Sequence, residues 1–169
     1  MTEPETYLFS ESDWVPNHPM LPVLLYRHAL SPQRDRADAF ESMFEKAGWT
    51  GLWRNGIFNY QHYHTGAHEV LGIARGEGLV LIGGPDGARL EVQAGDCLVL
   101  PAGTGHMRLA ASDDFLVVGA YPPGQHADIQ KSAPSAEGRD RIRILPLPDS
   151  DPLYGPDGPL MRLWRKAAA

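Results

Sequence analysis

The stretch GIFNYQHYHTGAHEVLGIARG, residues 56–76, combines closely spaced histidines with the start of an apolar strand. Because side chains alternate between the two faces of a strand, His62 and His64 are expected to point the same way. A short turn over residues 65–67 returns the chain, so that Glu69 faces both histidines from the neighbouring strand. The stretch therefore predicts two imidazoles and one carboxylate on the same face of a β-structure.

A second stretch, GDCLVLPAGTGH, covers residues 95–106 and ends in a further histidine. Its apolar run closes at Pro101, and a glycine-containing turn leads to His106. We expect His106 to complete a set with His62, His64 and Glu69. Three imidazoles and a carboxylate suit one divalent transition metal per chain, such as iron, manganese, nickel or zinc. Four protein ligands around an octahedral ion leave two positions for water, dioxygen or substrate.

The sequence around these two stretches is typical of an all-β protein. Its 18 glycines and 15 prolines fall between short apolar runs and supply turns. Strands are predicted near residues 23–26, 69–74, 79–82, 89–92, 97–100 and 115–121. Strands at this close and regular spacing favour a barrel or a double-sheet jelly roll.

The flanking regions differ from this β-rich centre, and we expect them to belong to the same single domain, residues 1–169. In residues 1–55, a helix is predicted with Ser31 as its N-cap and Pro32 at its first position, ending at Gly48. Its apolar face contains Ala37, Phe40, Met43, Phe44 and Ala47. Residues 122–169 predict a C-terminal arm, with one strand at 141–145 and an extended remainder anchored by Leu160, Leu163 and Trp164.

Composition and charge narrow the classes of partner. Lys and Arg total 15 against 21 Asp and Glu, a net charge of −6, which argues against binding to nucleic acid or an anionic membrane surface. The sequence has neither an apolar run of membrane-spanning length nor a basic, then apolar, signal segment at its start. Cys97 is the single cysteine and excludes an intrachain disulfide. We therefore expect a cytoplasmic protein.

The two stretches resemble the paired motifs of the cupin superfamily. The first motif, G-x5-H-x-H-x4-E-x6-G, is matched at every fixed position by Gly56, His62, His64, Glu69 and Gly76. The second motif, G-x5-P-x-G-x2-H-x3-N, is matched by Gly95, Pro101, Gly103 and His106, with Ala110 where the family often has asparagine. The resemblance covers about residues 56–121. It implies a cupin-type antiparallel β-barrel (a double-stranded β-helix or jelly roll) flanked by the N-terminal helix, with a metal in the barrel mouth.

A narrower resemblance, to the YjlB-like branch of small bacterial cupins, extends over nearly the whole chain. It rests on the run from His62 to Gly72, the pair Gly83-Gly84, and the segments at 121–125, 148–152 and 158–160. Because cupins commonly pair, this resemblance also implies a homodimer. It implies no particular reaction or substrate.

Four further residues are expected in or next to the site. Tyr60 and Phe58 share the parity of His62 and His64, so Phe58 is expected to fill the barrel core and Tyr60 is a candidate to place a hydroxyl near the metal. Arg108 shares the face of His106, where it would bind either an anionic substrate or an internal carboxylate. His68 is expected on the face opposite Glu69, as a supporting residue, or as an alternative ligand if the turn bulges.

These residues leave three hypotheses about function. The first is a metal-dependent enzyme acting on a small polar or anionic metabolite, and analogy with the superfamily favours oxygenase chemistry over decarboxylation or isomerisation. The second is a non-catalytic barrel that binds or senses a metal or a metabolite. The third is a structural barrel that has lost its metal, which the presence of all four expected ligands disfavours.

Overall fold

The computed structural model describes residues 1–32 and 35–169. Within them the chain forms nine strands and three helices in the order β1 (Glu5–Tyr7), β2 (Val23–Tyr26), α1 (Arg36–Lys46), β3 (Thr50–Asn55), β4 (Glu69–Arg75), β5 (Glu77–Ile82), β6 (Ala88–Gln93), β7 (Cys97–Leu100), β8 (His106–Ala111), β9 (Leu116–Tyr121), α2 (Ala136–Ile144) and α3 (Pro159–Ala168). The antiparallel β-structure expected from the glycine and proline spacing is confirmed. None of the helices described in these two ranges is long and apolar enough to cross a membrane.

The strands form two sheets. A six-stranded sheet has the order β1-β2-β7-β4-β9-β3, and a three-stranded sheet has the order β6-β5-β8. All the strand pairs within them are antiparallel. One apolar cluster draws its members from both sheets and forms the barrel interior, while a second joins the six-stranded sheet to α1 and α3. The six-stranded sheet is therefore covered on both faces.

Strand β4 shows how alternation builds these two cores. Leu71 and Ile73 belong to the interior cluster, whereas Val70 and Ala74 belong to the helix-covered cluster. Because both faces are buried, the strand reads as a continuous apolar run. Glu69 has the same parity as Leu71 and Ile73, which directs its carboxylate to the interior at one end of the barrel.

Helix α1 confirms the predicted apolar face but begins later than expected. Its N-cap is Asp35, whose side chain accepts a hydrogen bond from the backbone of Asp38. Ser31 and Pro32 lie outside the helix, and residues 33–34 lie outside the described part of the chain. Asp35 satisfies a free amide at the N-terminus of the helix, which is the role predicted from the sequence for Ser31.

The C-terminal region contains two helices where the sequence predicted a strand and an extended arm. The strand predicted at 141–145 is part of α2, which is capped by Ser135 accepting from the backbone of Gly138. The alternation of Arg141, Ile142, Arg143 and Ile144 imitated a strand, but Ile144 is 65% exposed. The remainder forms α3, in which Pro159 occupies the first turn and Leu160 and Trp164 are buried against the sheet.

Candidate metal centre

Three histidines converge at one end of the barrel. His62, His64 and His106 each offer a ring nitrogen, and these three atoms lie within 4.8 Å of one another. Backbone pairing brings the two distant segments together, since His106 N donates to His62 O at 2.9 Å and Gly103 N donates to His64 O at 2.7 Å. The three side chains are almost completely buried. They form a possible metal site.

Backbone carbonyls fix the orientation of all three rings. His62 Nδ1 lies 3.0 Å from Tyr60 O, and His106 Nδ1 lies 2.9 Å from Thr104 O. His64 Nδ1 contacts the carbonyl oxygen of Asp128 in the same way. A carbonyl oxygen only accepts hydrogen bonds, so we assign the proton of each ring to Nδ1. Each Nε2 then presents a lone pair, which is the arrangement that a metal-binding imidazole requires.

Glu69 adds a carboxylate to the same point. Its Oε1 lies 3.3 Å from His64 Nε2 and 3.4 Å from His106 Nε2. Burial acts to raise the pKa of Glu69, but His64 and His106 outweigh it and hold that pKa well below its usual range. Burial acts to lower the pKa of His64, and the Glu69 carboxylate outweighs it and raises that pKa. Lone pairs that converge in this way need a cation between them, so the donor set fits a divalent transition metal.

The pKa of His62 shifts in the other direction from that of His64, because burial prevails there. Loss of solvent, and after it the neighbouring His106, whose ring centroid is 4.0 Å away, lower its pKa to about 3. His62 therefore stays neutral at physiological pH and keeps its Nε2 lone pair available.

A cavity of about 240 Å³ opens from the histidine cluster to solvent. His62, His64, His106 and Glu69 form its polar floor, and most of its walls are apolar: Trp53, Ile57, Phe58, Leu71, Ala127 and Ile129. These walls come from strands β3 and β4, from the segment that follows β3 and from the segment that follows β9. A small molecule entering from solvent would meet apolar surface first and the donor cluster last.

Tyr121 belongs to this cavity and was not identified as a site residue from the sequence. Its hydroxyl accepts a hydrogen bond of 2.9 Å from Trp53 Nε1. Burial and the charge of the neighbouring Glu69 carboxylate raise the pKa of Tyr121, so the phenol keeps its proton. Tyr121 therefore lies between Trp53 on β3 and the carboxylate at the start of β4. Tyr121 closes the last predicted strand, at the end near Glu69, and this position was the available indication.

His68 lies on the opposite face of the sheet, as its parity predicted. Its side chain is fully buried, its Nδ1 accepts a hydrogen bond of 2.9 Å from Ala102 N, and its ring packs edge-on against Trp164. Because Ala102 lies in the turn that leads to His106, His68 supports this turn from behind. The geometry does not bring His68 into the donor cluster as an alternative ligand.

Tyr60 and Phe58 differ from their expected inward positions. Phe58 is 43% exposed and lies at the cavity mouth rather than in the barrel core, and Tyr60 is 36% exposed and stacks on Phe58 with a centroid separation of 4.9 Å. Residues 56–61 form no regular strand, so the alternation assumed from His62 does not extend back to them. Tyr60 contacts His62 through its backbone carbonyl, which orients the imidazole, and through its ring, whose centroid lies 5.6 Å from that of His62; Tyr60 is not part of the cavity lining.

Arg108 does not reach the cavity floor. It lines a separate cleft together with residues 55–59, and its backbone N–H donates to Phe58 O at 2.9 Å. Arg108 is not among the residues that line the cavity over the histidine cluster. The geometry therefore does not bring Arg108 into the candidate metal centre.

Asp128 is a second residue that the sequence did not single out. Its carboxylate accepts hydrogen bonds from Thr65 N at 2.8 Å, Thr65 Oγ1 at 2.5 Å and Gly66 N at 2.9 Å. Together with the contact between its carbonyl and His64 Nδ1, this clamps the turn after His64 to the segment that forms one cavity wall. Asp128 lies 64 positions from His64, so no local pattern could have linked them.

Comparison with known proteins agrees with this architecture. Residues 52–135 match the family model described as Cupin. The chain is 39% identical over 166 residues to the uncharacterised protein YjlB of Bacillus subtilis (strain 168), which covers 97% of this chain and 98% of that protein.

Solved structures give weaker likenesses. Acireductone dioxygenase from Bacillus anthracis, with a cadmium ion in its active centre, is 18% identical with a TM-score of 0.39, covering 65% of this chain and 80% of that one. A DUF861 family protein from Thermotoga maritima is 19% identical with a TM-score of 0.36, covering 57% of this chain and 96% of that one. The family assignment rests on the sequence matches, and by them this chain belongs to the cupin family, with YjlB as a relative over almost its full length.

Proposed function

We propose that this protein is a metal-dependent enzyme that acts on a small molecule, with His62, His64, Glu69 and His106 holding one divalent transition metal. The observation that carries the proposal is the convergence of three imidazole nitrogens within 4.8 Å, next to a buried carboxylate, at the floor of an open cavity. A metal bound there supplies Lewis-acid polarisation to a ligand oxygen atom. The cavity leads a small molecule to that point.

The protein's own residues then have separate roles. The carbonyl contacts at Nδ1 keep the three rings aimed at one point without side-chain rearrangement. Tyr121 holds a proton on its hydroxyl next to Glu69, where it can donate a hydrogen bond to the carboxylate or to a ligand oxygen. A ligand that fills the space between the apolar walls would displace water from the floor, which strengthens electrostatic interactions there. Oxygenase chemistry is our preferred reaction class, on analogy with the superfamily alone.

The test combines metal analysis with turnover. The native protein, purified without a histidine tag, is expected to hold close to one transition metal per chain, and the double variant His62→Ala/His64→Ala is expected to hold almost none. His126→Ala is the matched control, because that histidine is exposed and lies outside the cluster. A native protein that stays metal-free after reconstitution with iron and manganese would contradict the proposal.

Turnover separates the enzyme from a non-catalytic binder. The iron- or manganese-reconstituted protein is expected to consume dioxygen or to convert a member of a panel of small acids, phenols and sugars. Metal binding and ligand-dependent heat protection without conversion would instead identify a barrel that binds or senses its ligand.

We also propose a homodimer, from the habit of the family, and a cytoplasmic location, because a chain with a single cysteine suits a reducing compartment. Sedimentation at micromolar concentration is expected to give twice the mass of one chain, and a single-chain mass would exclude the dimer.

A further inference from the structure

The cavity walls determine which ligand body can reach the donor cluster. Above the polar floor, the side chains of Trp53, Ile57, Leu71 and Ile129 present carbon surface to the cavity. At the mouth, Phe58 and Ile129 are 43% and 49% exposed, which is costly for apolar side chains unless something covers them. The walls therefore match a ligand whose body is itself apolar.

Charge at the rim disfavours an anionic body. Among the described residues that line the cavity, Arg54 is the one cation, and its guanidinium binds Asp38 at 2.7 Å and Glu41 at 2.5 Å. These three side chains together carry one net negative charge. Lys131 reaches the outer face of Tyr60, 5.1 Å from the ring centroid, and is not part of the lining.

The volume limits the size of the ligand. A cavity of about 150 Å³ lined by Leu, Ile and Phe holds one benzene molecule. The present cavity of about 240 Å³ is larger by roughly the volume of three water molecules, at about 30 Å³ each. It therefore fits one substituted six-membered ring with its polar atoms at the floor.

We propose that the ligand of this cavity is an uncharged molecule with one ring-sized apolar body and neighbouring oxygen donors that face the histidine cluster. This inference rests on the proposed function, because the oxygen donors need the metal, but the substrate class follows from the cavity and not from the type of reaction. Two adjacent oxygen atoms match the two positions that four protein ligands leave open on an octahedral ion. It also revises the expectation of an anionic substrate, because Arg108 faces a different cleft.

Two probes of similar shape test whether the cavity prefers an uncharged ligand to an anionic one. 4-Methylcatechol and protocatechuate share a ring and two adjacent hydroxyls, and they differ by a methyl group against a carboxylate at the position that would face the walls. Titration calorimetry under anaerobic conditions, with nickel-loaded protein, which accepts six ligands and does not turn over without dioxygen, is expected to show at least about ten-fold tighter binding of 4-methylcatechol. The metal-free protein is expected to bind more weakly and keep the same preference.

A charge added at the mouth provides a second measurement. Ile129→Lys is expected to strengthen protocatechuate binding about two- to five-fold and leave 4-methylcatechol unchanged or weaker. Ile144→Lys is the matched control, since Ile144 is 65% exposed on α2 and lies outside the cavity lining. Both variants replace exposed isoleucines, and a thermal melt checks that each one folds.

The outcomes separate this inference from the proposed function. Equal or tighter binding of protocatechuate by a protein that holds its metal would overturn the substrate class and leave the metal site intact. Preference for 4-methylcatechol in a protein that never takes up metal would support the apolar cavity while removing the enzyme proposal. An Ile129→Lys variant whose two affinities match those of Ile144→Lys would also overturn the inference.

Discussion

Replacing Asp128 with alanine tests whether the clamp behind His64 controls metal binding. Asp128 accepts four hydrogen bonds, from Thr65 N, Thr65 Oγ1, Gly66 N and Gln130 Nε2, at 2.5–2.9 Å. Burial acts to raise the pKa of Asp128, but these donors, Thr65 first, outweigh it and lower the pKa to about 2. The carboxylate is therefore ionised at neutral pH, and the bonds are charge-assisted.

The magnitudes follow from these contacts. The bonds are only partly buried, so water replaces some of them in Asp128→Ala, and we expect a loss of about 2–4 kcal/mol in the free energy of unfolding. The alanine keeps its backbone carbonyl, but that carbonyl is no longer held against His64 Nδ1. Loss of such an orienting partner costs about 10- to 100-fold in metal affinity, or about 1.4–2.8 kcal/mol.

The assay is competition for zinc against a chromophoric chelator, alongside urea unfolding of the metal-free protein. Asp128→Asn keeps one side-chain oxygen for the two backbone donors, so we expect a smaller loss of affinity than in Asp128→Ala. Asp113→Ala is the control, because Asp113 is an exposed loop residue. A folded Asp128→Ala protein that binds zinc within about two-fold of the native affinity would refute the reasoning, even if its stability falls.

Three other predictions concern the scaffold. Gly72→Ala places a Cβ 2.7 Å from the buried ring of Phe40, so we expect the free energy of unfolding in urea to fall by about 1–3 kcal/mol. Gly56→Ala, with open space around it, is the control and is expected to lose less than about 0.5 kcal/mol; equal losses would contradict the packing. Asp151→Ala removes the buried acceptor of three backbone N–H groups and one tyrosine hydroxyl, so we expect a loss of about 4 kcal/mol or more, and a loss below about 1 kcal/mol would show that these donors find other partners. Burial lowers the pKa of His18 to about 4. Between pH 6.5 and 4 the folded state therefore binds fewer protons than the unfolded state, so the free energy of unfolding has its full value above pH 6.5 and decreases as the pH falls. Between pH 7 and 5 the native protein should therefore lose up to about 2 kcal/mol more than a His18→Asn variant in urea unfolding, and parallel curves would exclude this role.

Three of the four donor residues were predictable from local spacing, and His106 was placed with them through the resemblance to the paired cupin motifs. His62 and His64 are two positions apart, and Glu69 begins a regular strand whose parity places it with Leu71 and Ile73 in the interior. The same alternation correctly placed His68 on the other face. It failed for Phe58, because the residues before His62 form no regular strand and a period of two has no meaning there.

The C-terminal helices show a second limit of local patterns. The run from Arg141 to Ile144 alternates polar and apolar residues, yet it continues the helix that begins after the Ser135 cap. Only Ile142 of its two isoleucines is buried, against Tyr63 and Ala102, so the run has no apolar strand face to pack. A run of four alternating residues fits both the strand period of two residues and the helix period of 3.6 residues, and tertiary packing decides between strand and helix.

By itself the sequence determined a β-structure with many short strands, since alternation along strands and turn residues are local properties of the chain. The resemblance to the paired cupin motifs implied the antiparallel barrel with three imidazoles and one carboxylate at its mouth. The tertiary structure alone decided what surrounds that cluster. Tyr121 and Asp128 reach it from segments more than 50 residues away from Glu69 and His64, and Trp53 donates to Tyr121 across 68 positions. Arg108 lines a different cleft from the one above the histidine cluster. Such contacts depend on how sheets and loops pack in space, which no periodicity along the chain records.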